Sequence, residues 1–416
     1  MKSEKHSISY LKNTVMLNEI CPKELCSGCA ACLNICSHKS ITMEKDELGF
    51  KHPTIDSSLC VDCGLCIKAC PVNNPINQQK PFTAYAAHNK IDIEHKSSAS
   101  GGVAHLFSKY VIEQGGVVYG CSSVDYKHVK HVRVDLKEHL SQLQGSKYVQ
   151  SDIGLVLKDV RHDLKTGKLV LFTGTPCQIA GLRSFLNRDY DNLITVDLVC
   201  HGVPSQQLLV DDISSNGASD KVTSILFRKK GKRLKDIKFG IYLYNENKKI
   251  YAADYPNNYY IVGFLHGIFY RDCCYSCQYA QSRRVSDITI ADFWGLGKLK
   301  SPQIETGKGI SAILLNSAKG GLFVDKLKPL MMIEERDVEE AIRGNEQLMD
   351  SSPRHKLYYD FKEAYLQGGY ISACNKYFKK EIQTTKRETL KYDCFSIIKS
   401  IPLFGSLLQS IYKKLK

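Results

Sequence analysis

Beyond Pro81 the chain alternates short apolar runs with stretches of helical periodicity. Thr83–His88 reads as a strand, Gly101–Gln114 as a helix and Gly116–Cys121 as a strand. Ser151–Lys165 follows as a helix, Leu169–Thr173 as a strand, Pro176–Leu186 as a helix and Leu193–Cys200 as a strand. Such alternation predicts an α/β domain with helices packed on a sheet. From Lys221 to Ala253 the pattern turns to strands with charged turns. Asp287–Asp292 and Ile310–Leu315 read as later strands, and from Val338 the chain is mostly helical. Before all this, the polar stretch Val72–Pro81 carries prolines and reads as a linker.

The N-terminal part follows a different rule. Cys26, Cys29, Cys32 and Cys36 form one Cys-x2-Cys-x2-Cys-x3-Cys run, and Cys60, Cys63, Cys66 and Cys70 form a second, followed by Pro71. This is the spacing of bacterial two-cluster ferredoxins, in which the fourth cysteine of each run crosses to the other cube. The spacing therefore assigns Cys26, Cys29, Cys32 and Cys70 to one 4Fe-4S cluster. Cys60, Cys63, Cys66 and Cys36 go to the other. Gly28 and Gly64 suit loops that curl tightly around sulfur. Zinc would favour separated cysteine pairs, and disulfides a small secreted domain. Ser37 stands where a proline commonly follows such a run, at a position that ligates nothing.

The expected architecture is a multidomain α+β and α/β chain. It comprises an extension over 1–20, a ferredoxin-type module over 21–75, a linker over 76–84, an α/β domain over 85–345 and a basic helical tail over 346–416. The length of 416 residues suits two or three domains. Seventeen cysteines argue for a reducing, cytoplasmic setting. Residues 1–19 lack a signal-peptide apolar core, and no run of 18 apolar residues predicts a transmembrane helix. The formal net charge is +14, and two or three clusters would reduce it to about +10 or +8. The segment from Lys376 to Lys416 holds ten Lys/Arg against three Asp/Glu. Half the basicity is thus in the tail, and no nucleic-acid-reading motif accompanies it.

Further chemistry gathers in the α/β region. Ser100-Gly101-Gly102-Val103 opens a helix, either as a phosphate-approaching backbone or as an ordinary N-cap at Ser100. Gly145-Ser146-Lys147-Tyr148 sets small residues beside a cation and a ring. Thr175-Pro176-Cys177 leaves a strand and enters a helix, where the macrodipole favours a Cys177 thiolate. Cys200 stands at a strand's carboxyl end, where ligands of open α/β sheets bind. With Cys274 and Cys277, these two cysteines make a candidate third cube, Cys273 being spare. The alternatives are buried unligated cysteines and a zinc or redox pair.

Thr173–Leu182, Asp197–Ser205, Cys274–Cys277 and Arg284–Gly295 together resemble the coenzyme F420 hydrogenase/dehydrogenase beta-subunit family. Ser100–Val103 and Gly145–Tyr148 match its earlier motifs, and the resemblance runs from about Leu25 to about Asn345. It implies a flavoprotein, usually with FAD, that moves electrons between iron–sulfur clusters and an organic substrate. It also implies that Cys177, Cys200, Cys274 and Cys277 ligate a cluster. By the same resemblance Ser100–Val103, Gly145–Tyr148, Thr175 and Pro176 would line the flavin. Lys147 is the candidate for stabilising reduced flavin, and His201 for donating a proton or capping the next helix.

The expected function is an iron–sulfur flavoprotein oxidoreductase. It would exchange electrons with a ferredoxin-like or other redox protein and reduce or oxidise a small organic molecule. The alternatives are a non-catalytic relay component and a maturation or scaffold protein that uses its clusters structurally. In the tail, Ile397, Ile401, Phe404, Leu408, Ile411 and Leu415 keep helical spacing. They fit a helix packed on the body or a peripheral helix touching anionic lipid or an acidic partner.

Overall fold

The computed structural model describes residues 19–399 apart from 124, 219–220, 231–236 and 308, with side chains described as far as 387. The expected 1–20 extension and the apolar positions from Ile397 onward fall almost wholly outside the described residues.

In the cysteine-rich module, short helices Ala31–Ile35 and Leu65–Lys68 follow the two runs. An antiparallel hairpin, β1 (Ile41–Lys45) and β2 (Lys51–Ile55), joins them. The two runs trace the same path. Gly28 and Ala30 have φ of 67° and 58°, and their counterparts Asp62 and Gly64 have 55° and 68°. Each loop therefore needs two left-handed residues, and glycine relieves only one of them in each run.

The main body is an eight-stranded mixed sheet. Its strands are β3 (Thr83–Asn89), β4 (Val117–Ser122), β5 (Lys130–Val134), β6 (Val170–Gly174), β7 (Leu193–Leu198), β11 (Ile288–Asp292), β12 (Ser311–Leu315) and β13 (Met331–Arg336). Their order is β13-β3-β12-β11-β7-β6-β4-β5. The four central strands β11, β7, β6 and β4 run parallel. Strand residues alternate between the two cores, as period-2 geometry requires. Val170 and Phe172 face the helices Val156–Lys165 and Pro176–Leu186. Leu171 faces the helices Val103–Glu113 and Ala318–Leu327. Burial on both faces explains why these strands are almost wholly apolar.

A second antiparallel sheet, β8 (Ser224–Lys229), β9 (Lys238–Asn245) and β10 (Lys248–Asp254), packs with the helices Gln206–Ser215 and Tyr259–Leu265. The helical segment Tyr358–Lys399 bends at Gly369 (φ 74°). Its Phe361, Tyr370, Cys374 and Phe378 are buried in this same core, so the tail up to 387 is part of the body.

Two expectations need revision. The helix foreseen over Ser151–Lys165 begins at Val156, because Asp152 bridges to Lys130 and Gly154 turns with φ 52°. The stretch that reads as a linker is pinned in place. Gln79 and Arg284 exchange both backbone hydrogen bonds at 2.8 Å, and Arg283 donates to the Gln78 carbonyl.

Candidate functional site

The packing brings Cys26, Cys29, Cys32 and Cys70 around one pocket, and Cys36, Cys60, Cys63 and Cys66 around another. The fourth cysteine of each run crosses over, as the spacing predicts. None of these thiols forms a disulfide. Four converging, unbridged thiols form the donor set an iron–sulfur cube takes. The inner pocket adds Cys21, which hydrogen-bonds toward Cys26 and Cys70. That bond holds Cys26 down at about 3 and Cys70 at about 7, with His52 and Arg271 also favouring the Cys26 thiolate. Burial instead pushes Cys29 up to about 12. The outer pocket lies near solvent: Cys63 is exposed, and Leu59, Val61 and Leu65 form an exposed apolar rim around it.

A third convergence lies in the body. Cys177, Cys200, Cys273, Cys274 and Cys277 line a cleft of about 240 Å³ with Thr175, Pro176 and His201. Helix Pro176–Leu186 delivers Cys177 through a Thr175/Gln178 capping box. The Thr175 hydroxyl lies 3.2 Å from the Cys177 sulfur. The expected macrodipole effect does not prevail at Cys177, whose pKa burial raises. Burial likewise pushes Cys200 up to about 12, Arg284 opposing it. Such thiols stay protonated until a metal displaces the protons. Cys273 and Cys274 hydrogen-bond each other, which favours the thiolate at Cys273 and the thiol at Cys274.

The three thiol sites form a series. Ser27, Pro71 and Val72 line both the inner pocket and the cleft, so the wall between them is one residue thick. Tyr279 is buried and interacts with Cys177 and Cys277 on one side and Cys29 and Cys70 on the other. Helix Pro176–Leu186 meets the module at Gly181, where a β-carbon would come within 2.6 Å of the Cys29 β-carbon. Arg271, 2% exposed, locks the modules together. It donates to the Cys26 carbonyl, the Lys51 carbonyl at 2.8 Å and Gln150 Oε1 at 3.1 Å. Neither Tyr279 nor Arg271 carries a signal in the sequence beyond proximity to Cys277 and Cys273.

The other candidate residues lie along the carboxyl ends of the parallel strands. Lys147 is half-buried, its Nζ 2.7 Å from the Gln144 carbonyl. Burial holds its pKa down at about 8, against the influence of Cys121 at the end of β4. Nearby His131, held down at about 4 by burial, lies between the Ser151 hydroxyl and the Thr173 carbonyl. The Tyr148 ring stacks on Phe264 at 4.6 Å, and its hydroxyl faces the Arg228–Asp292 ion pair. Trp294 is 40% exposed beside Arg228. Ser146 hydrogen-bonds the Tyr148 hydroxyl, and Gly145 turns the loop with φ 82°. His201 is exposed at the mouth of the cysteine cleft.

At the glycine start, Gly102 and not Ser100 occupies the cap position before Val103. Ser100 donates its hydroxyl to the Ile310 carbonyl, and the Gly101 N–H donates to Ser311 Oγ. A β-carbon on Gly101 would lie 2.4 Å from the Ala87 carbonyl. Close packing against the sheet thus requires this glycine.

A dicluster thiol module docked on a mixed α/β body defines an iron–sulfur electron-transfer protein. Comparison narrows the class. Residues 25–74 match the 4Fe-4S dicluster domain. Residues 167–341 match the family described as the C-terminal part of the coenzyme F420 hydrogenase/dehydrogenase beta chain, and over these segments the chain belongs to that family. It is 29% identical over 196 residues to the coenzyme F420-dependent sulfite reductase of Methanocaldococcus jannaschii, covering 45% of this chain and 29% of the relative. It is 20% identical over 211 residues to one of the subunits of the F420H2 dehydrogenase of Methanosarcina mazei, covering 47% and 58%. The chain therefore spans only part of these relatives. A chain of the F420-reducing [NiFe] hydrogenase complex from Methanosarcina barkeri superposes with a TM-score of 0.44 at 18% identity, covering 70% of this chain and 94% of that one.

Proposed function

We propose that this protein is an iron–sulfur flavoprotein oxidoreductase. It would exchange electrons with a redox protein at the Cys36/Cys60/Cys63/Cys66 end and act on a small organic substrate at the carboxyl edge of the main sheet. The carrying observation is the series of three thiol sites, separated by single layers of side chain and running from an exposed rim into the body. Iron–sulfur cubes supply one-electron steps, and a flavin converts pairs of them into a hydride equivalent. Cys26, Cys29, Cys32 and Cys70 would hold one cube, and Cys36, Cys60, Cys63 and Cys66 the second. Cys177, Cys200, Cys274 and Cys277 would hold a third.

The chain's own residues divide the remaining work. Leu59, Val61 and Leu65 offer a partner protein an apolar contact around the outer site. Arg271 and Arg284 set fixed positive charge beside the inner sites, favouring thiolate and the added negative charge of reduction. Lys147 and Tyr148 flank the flavin ring, with Lys147 favouring its anionic reduced form. The helix start at Val103 and the Lys230 side chain receive its phosphates. Lys230 lies against Gly309, which in turn packs on Ser100. His201, at the cleft mouth, holds a proton for the substrate. Thr175 and Pro176 serve the cysteine cleft, whose lining they share. The family relationship favours a deazaflavin such as F420 as the hydride partner.

The relay reading has one specific observation behind it. The Ser100 hydroxyl and the Gly101 N–H, two of the expected flavin contacts, are committed to Ile310 and Ser311. Anaerobic purification with measurement of iron and flavin per chain separates the readings. About twelve irons, three cubes of four, with one flavin supports the oxidoreductase. About eight irons with one flavin removes the third cube. No flavin after incubation with FAD leaves the relay.

A further inference from the structure

Three side chains far apart in the chain converge away from the cysteine sites. His266 follows the helix Tyr259–Leu265, His355 precedes Tyr358, and Glu381 lies on the last helical segment. Their ligand-capable atoms all lie within 4.8 Å of one another, and all three residues are half-buried. The imidazole centroids are 6.3 Å apart and tilted by 58°. The Tyr255 hydroxyl lies 3.0 Å from His266 Nε2. Burial keeps the His355 imidazole toward its neutral form, with Glu381 opposing.

From this geometry we propose that His266, His355 and Glu381 bind a divalent transition ion of the zinc type, with water as the fourth ligand. Two imidazoles and one carboxylate suit zinc, whereas magnesium and calcium favour all-oxygen sets. Tyr255 orients the His266 ring, the outer contact that metal-bound histidines require. The atoms must draw together by about 1–1.5 Å to reach the 2.0–2.2 Å bond lengths of such a site.

The ion fastens a strap over the cysteine cleft. Just before His355, the Ser351 hydroxyl donates to the Tyr275 carbonyl at 3.0 Å and the Ser352 hydroxyl to the His201 carbonyl at 2.6 Å. Arg354 pairs with Asp272 at 2.7 Å and lies over the Tyr275 and Tyr358 rings. Glu381 then ties this strap to the final helical segment. This ion is independent of the proposed electron path.

The test adds one equivalent of zinc to the iron-loaded full chain, desalts it, and measures zinc and iron per chain. One zinc is expected with iron unchanged. His355→Gln and Glu381→Gln should each lose that zinc and keep their iron. No zinc on the wild type, or zinc retained by the double variant, overturns the proposal. X-ray absorption at the zinc edge of the wild type decides even where a variant fails to fold. A nitrogen and oxygen shell at about 2.0 Å supports the site, and sulfur at about 2.3 Å overturns it.

Discussion

Replacing Arg271 by Met keeps most of the side-chain volume and removes every hydrogen bond that this side chain makes at the junction of the two modules. The guanidinium is 2% exposed and serves the Cys26 carbonyl, the Lys51 carbonyl and Gln150 Oε1. It also lies over the Phe50 ring at 5.5 Å. Each buried acceptor left unpaired costs about 1–3 kcal/mol. Gln150 can turn partly to solvent, so the three do not add in full, and a net loss of about 3–5 kcal/mol is expected. At roughly 2–4 °C per kcal/mol, the melting temperature of the iron-loaded protein should fall by about 10 °C. Unfolding of such a protein is irreversible, so scans must share one heating rate. Iron should also leave for a chelator faster from the inner site, because Cys26 loses both its backbone anchor and a nearby cation. A variant that melts within about 2 °C of the wild type and releases iron at the same rate would refute the junction role, since about 1 kcal/mol at most could then be involved.

Lys147→Met should change the pH dependence of stability. The native Lys147 loses its proton near pH 8, and an unfolded lysine near 10.4. Between those values the unfolded chain binds more protons, so wild-type stability gains a rising component with pH that the variant lacks. Parallel urea midpoints for the two proteins from pH 7.5 to 10 would count against this. Gly181→Ala puts a β-carbon 2.6 Å from the Cys29 β-carbon and 2.9 Å from its sulfur. Overpacking of this kind costs about 1–3 kcal/mol, and the melting curve should shift down accordingly. Cys177→Ala should lower iron from about twelve to about eight per chain and leave both ferredoxin-type cubes. Unchanged iron would remove Cys177 from the third set.

Much of the fold is legible in the sequence because its signals are local. The strands β4, β6, β7, β11 and β12 are short apolar runs between turn residues, and each reads within two residues of its observed ends. The helix Pro176–Leu186 reads at its observed bounds, because Thr175 and Pro176 mark its start. β5 and β13 carry no such signal. Lys130–Val134 and Met331–Arg336 are sheet edges with charged residues on the open side, so neither shows a continuous apolar run. The hairpin of β1 and β2 is hidden for a similar reason, having little burial of its own beyond Ile41.

The thiol sites are legible to different depths. Spacing alone groups the eight ferredoxin-type cysteines, since close cysteines in one loop must face one pocket. It cannot choose among Cys177, Cys200, Cys273, Cys274 and Cys277, because their convergence depends on the sheet bringing the ends of β6 and β7 beside the 272–277 turn. Nor can it show that the sites adjoin. That depends on Gly181 admitting Cys29, Arg271 bonding across the junction, and Tyr279 filling the wall between two cysteine sets. None of these residues belongs to the cysteine pattern. A ferredoxin module tethered by a free linker would leave its inner site at no fixed distance from the cleft. Pinning Gln79 to Arg284 and burying Arg271 between the modules fixes that distance. This rigidity is what makes an ordered electron path, and not merely three separate thiol sites, the reading to test.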